Sequence, residues 1–193
     1  PPIHPRDLRP TERLSMKIKD SVVFITGANR GLGLSFAKAA LAAGARKDYA
    51  AARDPKSITL AGVTPVALDV TQPAQIAAAV AACGDVTLLV NNAGISRGSN
   101  LLGAGAVDAA RAEFETNFFG PWALTQAFAP VLAANGGGAV INVLSALSWT
   151  TFPSVATYSA TKSAAWSLSN GLRNELAGQG TQVTSLHVAY MDT

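Results

Sequence analysis

Short apolar runs alternate with longer helical patterns along most of this chain, and this alternation restricts the fold more than any other feature. The apolar runs are nearly continuous, which is typical of parallel strands covered on both faces of a sheet. The six predicted strands are residues 21–26, 49–52, 64–68, 86–90, 139–144 and 182–188. The predicted helices are residues 31–43, 74–82, 106–134 and 155–177. Because crossovers between parallel strands are right-handed, the pattern predicts an α/β fold with a doubly wound parallel sheet.

The composition fits one folded domain. Of the 193 residues, 49% are hydrophobic and 14% are charged, so the chain can bury a sizeable core and differs from disordered proteins. No apolar run approaches the roughly 18 residues of a membrane-spanning helix, so we expect no membrane partner. Cys83 is the single cysteine, which excludes an intramolecular disulfide and a cysteine metal site and fits a reducing, cytoplasmic location. We predict no metal site.

The excess positive charge lies in one segment. Residues 1–19 carry five basic and two acidic side chains, which accounts for the whole net charge of +3. The rest of the chain is neutral and has no basic stripe for a phosphate backbone, so we expect no nucleic-acid partner. Residues 1–15 are rich in proline and arginine. We expect them to be a disordered N-terminal extension, natural or added for expression, ahead of a single domain at 16–193.

A glycine-rich turn, TGANRGLG, spans residues 26–33, between the first predicted strand and the first predicted helix. Glycines let the backbone approach a ligand closely, and a helix N-terminus offers unpaired N–H groups and the positive end of its dipole to a phosphate. We therefore predict a Rossmann-like site for the pyrophosphate of a dinucleotide. The predicted contact residues are Gly27, Asn29, Arg30, Gly31, Leu32 and Gly33. The alternative is that the glycines serve the turn alone.

Two arginines favour NADP(H) over NAD(H) as the cofactor. Arg30 lies in the glycine-rich turn, and Arg53 follows the second predicted strand, where such folds contact the adenosine ribose. An arginine there favours the 2′-phosphate of NADP(H), whereas an acidic residue favours the free hydroxyl of NAD(H). Two alternatives stay open: both arginines are solvated surface residues, or Arg53 pairs with Asp54.

A tyrosine, a lysine and a serine form a candidate acid/base group. The motif YSATK places Tyr158 and Lys162 four residues apart on one helix face, and Ser145 follows the fifth predicted strand. A neighbouring ammonium favours the phenolate and lowers the pKa of a tyrosine from its usual value of about 10. Ser145 can donate a hydrogen bond to a developing alkoxide. Ser148 is the alternative serine.

The order of these motifs resembles that of the short-chain dehydrogenases/reductases. The matching segments are TGANRGLG at 26–33, Asp69-Val70, NNAG at 91–94, Asn117 in ETNFFG, Ser145 and the pair Tyr158 and Lys162. The resemblance covers roughly residues 22–193. It implies an NADP(H)-dependent oxidoreductase that interconverts a small carbonyl compound and an alcohol by hydride transfer.

The resemblance also implies a role for each matching residue. Tyr158 would exchange a proton with the substrate oxygen, Lys162 would tune Tyr158 and hold the nicotinamide ribose, and Ser145 would orient the substrate. Asn117 would hold a water in a proton relay. The implied cofactor residues beyond the glycine-rich turn are Arg53, Asp69, Val70, Asn92, Ala93, Gly94, Tyr158, Lys162 and Thr193.

Three features depart from the family pattern. Members usually continue through a substrate-covering segment and a seventh strand, which would lie beyond Thr193. Ala189 stands where a glycine is frequent, so its Cβ would crowd the nicotinamide side. Asp48 lies at the start of the second strand, and we expect it at the solvent end or paired with Arg46 or Lys47, because a buried, unpaired carboxylate is costly.

Three further interpretations follow from these observations. One is a noncatalytic NADP(H)-binding protein or sensor with an incomplete substrate pocket. Another is a nucleotide-sugar epimerase or dehydratase, whose glycine spacing and chain length differ from those seen here. The resemblance also implies a homodimer or homotetramer formed through the aromatic residues of the helices. The substrate itself is not encoded in any motif of the sequence.

Overall fold

The computed structural model describes residues 16–98 and 100–189. Six strands form one parallel sheet in the order β3-β2-β1-β4-β5-β6, which confirms the predicted doubly wound, Rossmann-like α/β fold. The strands are β1 Val22–Thr26, β2 Lys47–Ala52, β3 Thr64–Ala67, β4 Leu88–Asn91, β5 Gly138–Ser145 and β6 Thr181–Val188. The predictions for residues 1–15 and for Thr193 lie outside the described residues, and a seventh strand beyond Thr193 stays a prediction.

Helices cover both faces of the sheet. They are α1 Gly31–Ala42, α2 Pro73–Ala82, α3 Ala106–Phe114, α4 Gly120–Ala134 and α5 Ala156–Leu176. On one face, Phe128 of α4 and Leu172 of α5 belong to the core around Phe24. On the other face, Ala37 of α1 belongs to the core around Ile25. Within residues 16–98 and 100–189, no helix combines the length and the hydropathy needed to cross a membrane.

A π-helical turn interrupts the helical stretch predicted at 106–134. It spans Glu115–Phe119, between α3 and α4, and buries the side chain of Asn117. Such single turns occur frequently at functional sites. Directly after the turn, Gly120 packs against the chain that follows β3, since a Cβ on Gly120 would lie 2.9 Å from Val70 Cγ2. The turn therefore fixes Asn117 between the sheet and α5.

The structure shows that the expectation for Asp48 was wrong. Strand β2 begins at Lys47, and alternation along the strand sends Lys47 and Tyr49 to one face and Asp48 to the face that α1 covers. Lys47 and Tyr49 both bond to Asp85 instead, at 3.3 and 2.8 Å. Asp48 is 1% exposed, and its carboxylate oxygens have no hydrogen-bond partner among the described residues. Burial raises the pKa of Asp48 to about 7.

Candidate active site

The carboxyl ends of β1 to β4 border a crevice of about 950 Å³. Open parallel sheets bind ligands at this edge. The crevice is lined by Gly27, Asn29, Arg30, Gly31, Leu32, Gly33, Arg53, Asp69, Val70, Asn92, Ala93 and Gly94. A hollow of about 290 Å³ adjoins it, sharing Leu32 as a wall and reaching Tyr158, Lys162 and Val188. Thr193, the remaining predicted cofactor residue, lies outside the described residues.

The glycine-rich turn is tightly packed at one end and open at the other. A Cβ on Gly33 would lie 2.2 Å from the Gly27 carbonyl oxygen, so the turn itself requires glycine at position 33. Gly27 has a φ of +66°, in the left-handed region that favours glycine. Arg30 precedes α1, whose first turn has no acidic residue and no side-chain cap from the described residues. The N–H groups at this helix end can therefore bind an anion.

Asn92 joins the end of β4 to the glycine-rich turn. Its Nδ2 donates to the carbonyl oxygens of Thr26 and Gly27, at 2.8 and 3.3 Å. The backbone N–H groups of Asn92 and Ala93 both donate to Thr26 Oγ1 at 2.9 Å. Asn92 and Ala93 therefore shape the crevice wall. Thr26, which the sequence motifs had not marked as a hydrogen-bond partner, is their shared acceptor.

Asp69 stabilises the loop that follows β3. Its Oδ1 accepts hydrogen bonds from the N–H and the hydroxyl of Thr71, at 2.9 and 2.8 Å, in a short-range side-chain turn. The N–H of Asp69 donates to Gln75 Oε1 at 2.7 Å. The loop thus holds Asp69 and Val70 at the crevice wall, and their role toward an adenine ring stays a prediction.

Arg30 and Arg53 line the crevice with exposed side chains. Asp54 does not pair with Arg53, because its carboxylate accepts the Lys56 N–H at 3.0 Å and begins a short 3-10 turn. No ion pair in the described part of the chain involves either arginine. Both guanidinium groups are therefore free to contact an anion in the crevice.

Ser145, Tyr158 and Lys162 meet beside the hollow. Burial raises the pKa of Tyr158, a hydrogen bond with the Ser145 side chain lowers it, and the charge of Glu113 raises it. Lys162 is 5% exposed, and its Nζ donates to the Val143 carbonyl at 2.8 Å. The same Nζ lies 5.6 Å from the centre of the Tyr158 ring. The arrangement can give a proton to, or take one from, an oxygen in the hollow.

The Tyr158 pKa differs from the expectation that Lys162 would lower it below the usual value. Burial of the phenol outweighs the other influences, so the net shift is upward. Burial also lowers the pKa of Lys162 to about 8. Ser148, the alternative serine, has a buried hydroxyl without a partner in the described part of the chain, whereas Ser145 bonds to Tyr158.

Asn117 is held by backbone and side-chain groups on two sides. Its Oδ1 accepts the Ile95 N–H at 2.8 Å, and its Nδ2 donates to the Ile95 carbonyl at 2.8 Å and to Thr161 Oγ1 at 3.1 Å. A Cβ on Gly94 would lie 3.2 Å from Asn117 Oδ1 and 3.7 Å from Lys162 Nζ. The loop after β4 therefore passes close to both side chains. A water relay through Asn117 stays a prediction.

Two residues at this site were not singled out in the sequence. Thr161 accepts from Asn117, and Glu113 accepts the Arg97 N–H at 2.6 Å from a fully buried position. Glu113 precedes Asn117 by four residues, so the two can share a helix face. That spacing was the only signal in the sequence for Glu113.

Comparison with known proteins identifies the family. The chain matches the family profile described as short chain dehydrogenase over residues 21–193. The protein is a short-chain dehydrogenase/reductase. The family resemblance of the sequence motifs is thereby confirmed, and the chain belongs to a family of oxidoreductases that use a nicotinamide dinucleotide.

Three known proteins show how similar this chain is to other short-chain dehydrogenases/reductases. Dehydrogenase/reductase SDR family member 7B from Bos taurus is 34% identical, over 94% of this chain and 61% of the relative. A short-chain dehydrogenase from Burkholderia cenocepacia J2315, solved in complex with NADP, is 43% identical with a TM-score of 0.88, over 92% of this chain and 76% of the other. An NADPH-bound carbonyl reductase from chicken fatty liver is 28% identical with a TM-score of 0.79, over 88% and 79%. The chain spans about three fifths of the length of curated relatives such as member 7B.

Proposed function

We propose that the protein is an NADP(H)-dependent oxidoreductase that interconverts a small carbonyl compound and an alcohol, with Tyr158 as the acid/base. The observation that carries this proposal is that Tyr158 and the buried Lys162 of α5 both line the hollow, while the Ser145 side chain at the end of β5 forms a hydrogen bond with Tyr158. A phenol, a hydroxyl and an ammonium at one point provide what protonation of a carbonyl oxygen requires.

The crevice fits the parts of NADP(H). The open N-terminus of α1 suits a pyrophosphate, because the described residues place no cap and no acidic side chain there. Arg30 and Arg53 suit a 2′-phosphate, since both are exposed in the crevice and no described residue forms an ion pair with them. The adjoining hollow leads to Tyr158 and Lys162. The NADP complex of the B. cenocepacia relative supports the same cofactor.

The contacts of these side chains support a proposed role for each of them. Bound NADPH supplies the hydride for the carbonyl carbon. Tyr158 gives its proton to the carbonyl oxygen, while Ser145 donates a hydrogen bond to that oxygen as negative charge develops. The raised pKa of Tyr158 keeps the phenol protonated at neutral pH, as reduction requires. Lys162 stabilises the phenolate that forms, because its Nζ lies 5.6 Å from the ring centre.

Single substitutions test these roles in the natural full-length protein. Tyr158→Phe removes only the hydroxyl, and we expect NADPH consumption on a panel of ketones and aldehydes to fall by about 10²- to 10⁴-fold. Ser145→Ala should reduce it as well. Ser148→Ala is the matched control, because its hydroxyl has no partner in the described part of the chain. Undiminished turnover of Tyr158→Phe would refute the proposal.

Measurements of NADPH binding and NADPH consumption on the wild-type protein distinguish catalysis from cofactor binding alone. NADPH binding can be followed by fluorescence in the absence of any substrate. Tight NADPH binding without consumption on any carbonyl compound would favour the noncatalytic sensor over the enzyme.

We also propose that the protein is a homodimer or homotetramer in a reducing, cytoplasmic compartment. Phe119 and Trp122 are 45% and 42% exposed and stack on each other, and Trp166 of α5 is 37% exposed. Neighbouring exposed aromatic side chains support association. Cys83 is buried and free, which supports the compartment. Light scattering should give a multiple of the monomer mass, and a monomer at micromolar concentration would contradict the assembly.

A further inference from the structure

Four buried polar side chains are joined by hydrogen bonds inside one face of the sheet. They come from α4, β4, β5 and α5, none is more than 3% exposed, and the proposed chemistry uses none of them: Thr125, Asn91, Asn142 and Ser169. We call these four residues the polar network. The same two strands contribute apolar side chains such as Leu89 and Val140 to this core. Because polar groups are costly to bury, their presence here requires a physical reason.

The hydrogen bonds of the polar network run without a gap from α4 to α5. Asn91 Nδ2 donates to Thr125 Oγ1 at 3.1 Å and to Asn142 Oδ1 at 2.8 Å. Asn142 Nδ2 donates to Ser169 Oγ at 2.8 Å. Thr125 and Ser169 each donate to a carbonyl of their own helix, four residues earlier, at 2.7 Å. These partners fix the orientation of both amide groups and join both helices to the two strands.

Helix α5 is attached to β5 at two points. Lys162 Nζ donates to the Val143 carbonyl at 2.8 Å, and Ser169 accepts from Asn142, the residue before Val143. Lys162 and Ser169 are seven residues apart, which is about two helical turns and places them on the same helix face. Two attachments on one face fix both the position of α5 along the strand and its rotation about its own axis.

The polar network also reaches the wall of the crevice. Asn91 ends β4 and directly precedes Asn92. The Asn92 side chain donates to the Thr26 carbonyl at 2.8 Å, and the Asn92 N–H donates to Thr26 Oγ1 at 2.9 Å. The network therefore connects the strand end that holds the glycine-rich turn to the helix that carries Tyr158 and Lys162.

We propose that Asn142 and Ser169 are positioning residues that fix α5 against β5 and so set the distance between the crevice and Tyr158. The inference rests on the proposed function, in which the hydride comes from a cofactor in the crevice and the proton comes from Tyr158. Hydrogen bonds between buried amides and hydroxyls require one geometry, whereas apolar side chains repack when a helix shifts. The polar network thus selects one position of α5.

This precision matters more for catalysis than for stability. A displacement of about 1 Å at a reacting group can lower a rate by about 10²-fold. By contrast, replacing both partners of a buried hydrogen bond by apolar groups of the same shape is often nearly neutral for stability. The inference therefore predicts that activity and stability separate when the bond between Asn142 and Ser169 is replaced.

The double variant Asn142→Val/Ser169→Ala makes this replacement in the natural full-length protein. Valine suits a buried strand, and both new side chains are close in size to the originals. At a temperature where the variant is folded by circular dichroism, kcat for carbonyl reduction should fall at least about tenfold. The urea midpoint should stay near that of wild type. The KM for NADPH should also stay near wild type, because the glycine-rich turn keeps its contacts with Asn92.

Thr87→Val is the matched control for loss of a side-chain hydrogen bond in the sheet. Thr87 Oγ1 accepts the Val22 N–H at 3.0 Å and donates to the Val22 carbonyl at 3.3 Å, at the end of the sheet opposite the crevice. This variant should lower the urea midpoint and keep the wild-type kcat. Wild-type kcat in the folded double variant would overturn the inference, since the network would then serve only the fold.

A titration of Lys162 gives a readout that needs no turnover. The chain has six lysines, and in protein labelled with ¹³C at lysine Cε the spectrum of Lys162→Met assigns the signal. Burial lowers the pKa of Lys162 to about 8. A less strictly positioned α5 exposes Nζ to water, so the ratio of ammonium to amine at pH 8 should rise at least about threefold in the double variant. Thr87→Val should leave the titration unchanged.

Ser169→Ala alone covers the case in which the double variant does not fold, and it makes the same two predictions. An unmoved Lys162 titration in the folded variant overturns the inference. Failure of both variants to fold also overturns it, in favour of a purely structural role. A wild type that consumes no NADPH contradicts the proposed function, whereas an unmoved titration contradicts the role of Asn142 and Ser169.

Discussion

Two buried ionisable side chains, Lys162 on α5 and Asp48 on β2, lie in different surroundings. Lys162 is 5% exposed, donates to the Val143 carbonyl and lines the hollow beside Tyr158. Asp48 is 1% exposed, has no hydrogen-bond partner among residues 16–98 and 100–189, and lines neither the crevice nor the hollow. One buried charge therefore lies at the candidate active site, and the other lies on the sheet face that α1 covers.

Burial disfavours the charged form of both groups. The pKa of Lys162 falls to about 8 and that of Asp48 rises to about 7. At pH 7 the lysine is still mostly protonated, so the charge to which we assign a catalytic role carries a cost in folding free energy. The ionisation of Asp48 carries a similar cost and supports no chemistry that the structure shows. Lys162 thus has a proposed catalytic role that offsets its burial cost, whereas the burial of Asp48 only destabilises the fold.

The largest expected effect comes from removing the functional charge. Lys162→Met should reduce kcat/KM by at least about 10²-fold, because the phenolate loses its stabilising cation. The folded-state pKa of about 8 lies below the usual 10.5. Burial of the ammonium therefore destabilises the fold fully below pH 8, and this destabilisation disappears as the pH rises toward 10.5.

The same variant should consequently be more stable than wild type at pH 7, by about 1–2 kcal/mol. Urea denaturation at pH 7 measures this change, and steady-state kinetics measure the activity. Lys38→Met, at an exposed position of α1, is the control for loss of a lysine charge. A Lys162→Met protein with wild-type activity would remove the distinction between the two buried charges.

Removing the other buried charge should stabilise the protein without affecting activity. The folded-state pKa of Asp48, about 7, lies above the usual 3.8. Ionisation therefore opposes folding, fully above pH 7 and not at all below about pH 4. Asp48→Val should raise the free energy of unfolding at pH 8 by about 2–4 kcal/mol, and by less at pH 5.

Urea denaturation at the two pH values measures the effect of Asp48→Val. Asp108→Asn, which removes an exposed carboxylate on α3, should change stability little at either pH. An Asp48→Val protein that is less stable than wild type at pH 8 would show that the Asp48 carboxylate has a stabilising partner. That result would contradict the contrast with Lys162.

The smallest effect is expected for an exposed charge, which carries no burial cost. Arg53→Gln should weaken NADPH binding by about tenfold, the loss of one charge-assisted contact, and leave NADH binding unchanged. Its free energy of unfolding should stay within about 0.5 kcal/mol of wild type. Fluorescence titrations with the two cofactors measure the affinities, and Arg46→Gln, exposed outside the crevice, is the control. Equal loss for NADPH and NADH would contradict a 2′-phosphate contact.

Most of the fold was predictable because continuous apolar strands and the helices between them are local features of the sequence. The start of β2 at Lys47 was not predictable from the sequence. The N–H groups of Arg46 and Lys47 bond to the Ser21 carbonyl, and this tertiary contact extends the strand back over polar residues. The burial of Asp48 depends on that extension and on α1 above it, which no local pattern encodes.

The candidate site likewise contains some residues that were predictable from the sequence and others that were not. Tyr158 and Lys162 were predictable because their four-residue spacing fixes them on one helix face. Glu113 and Thr161 were missed because their importance depends on the packing of α3 against α5, between residues far apart in the sequence. The raised pKa of Tyr158 was missed for the same reason, since burial determines it.

The most direct test of the central claim is a crystal structure of the protein with NADP⁺. We predict density for the 2′-phosphate between Arg30 and Arg53, the pyrophosphate at the N-terminus of α1, and the nicotinamide in the hollow beside Tyr158. A nucleotide bound outside the crevice, or one whose nicotinamide points away from Tyr158, would contradict the account.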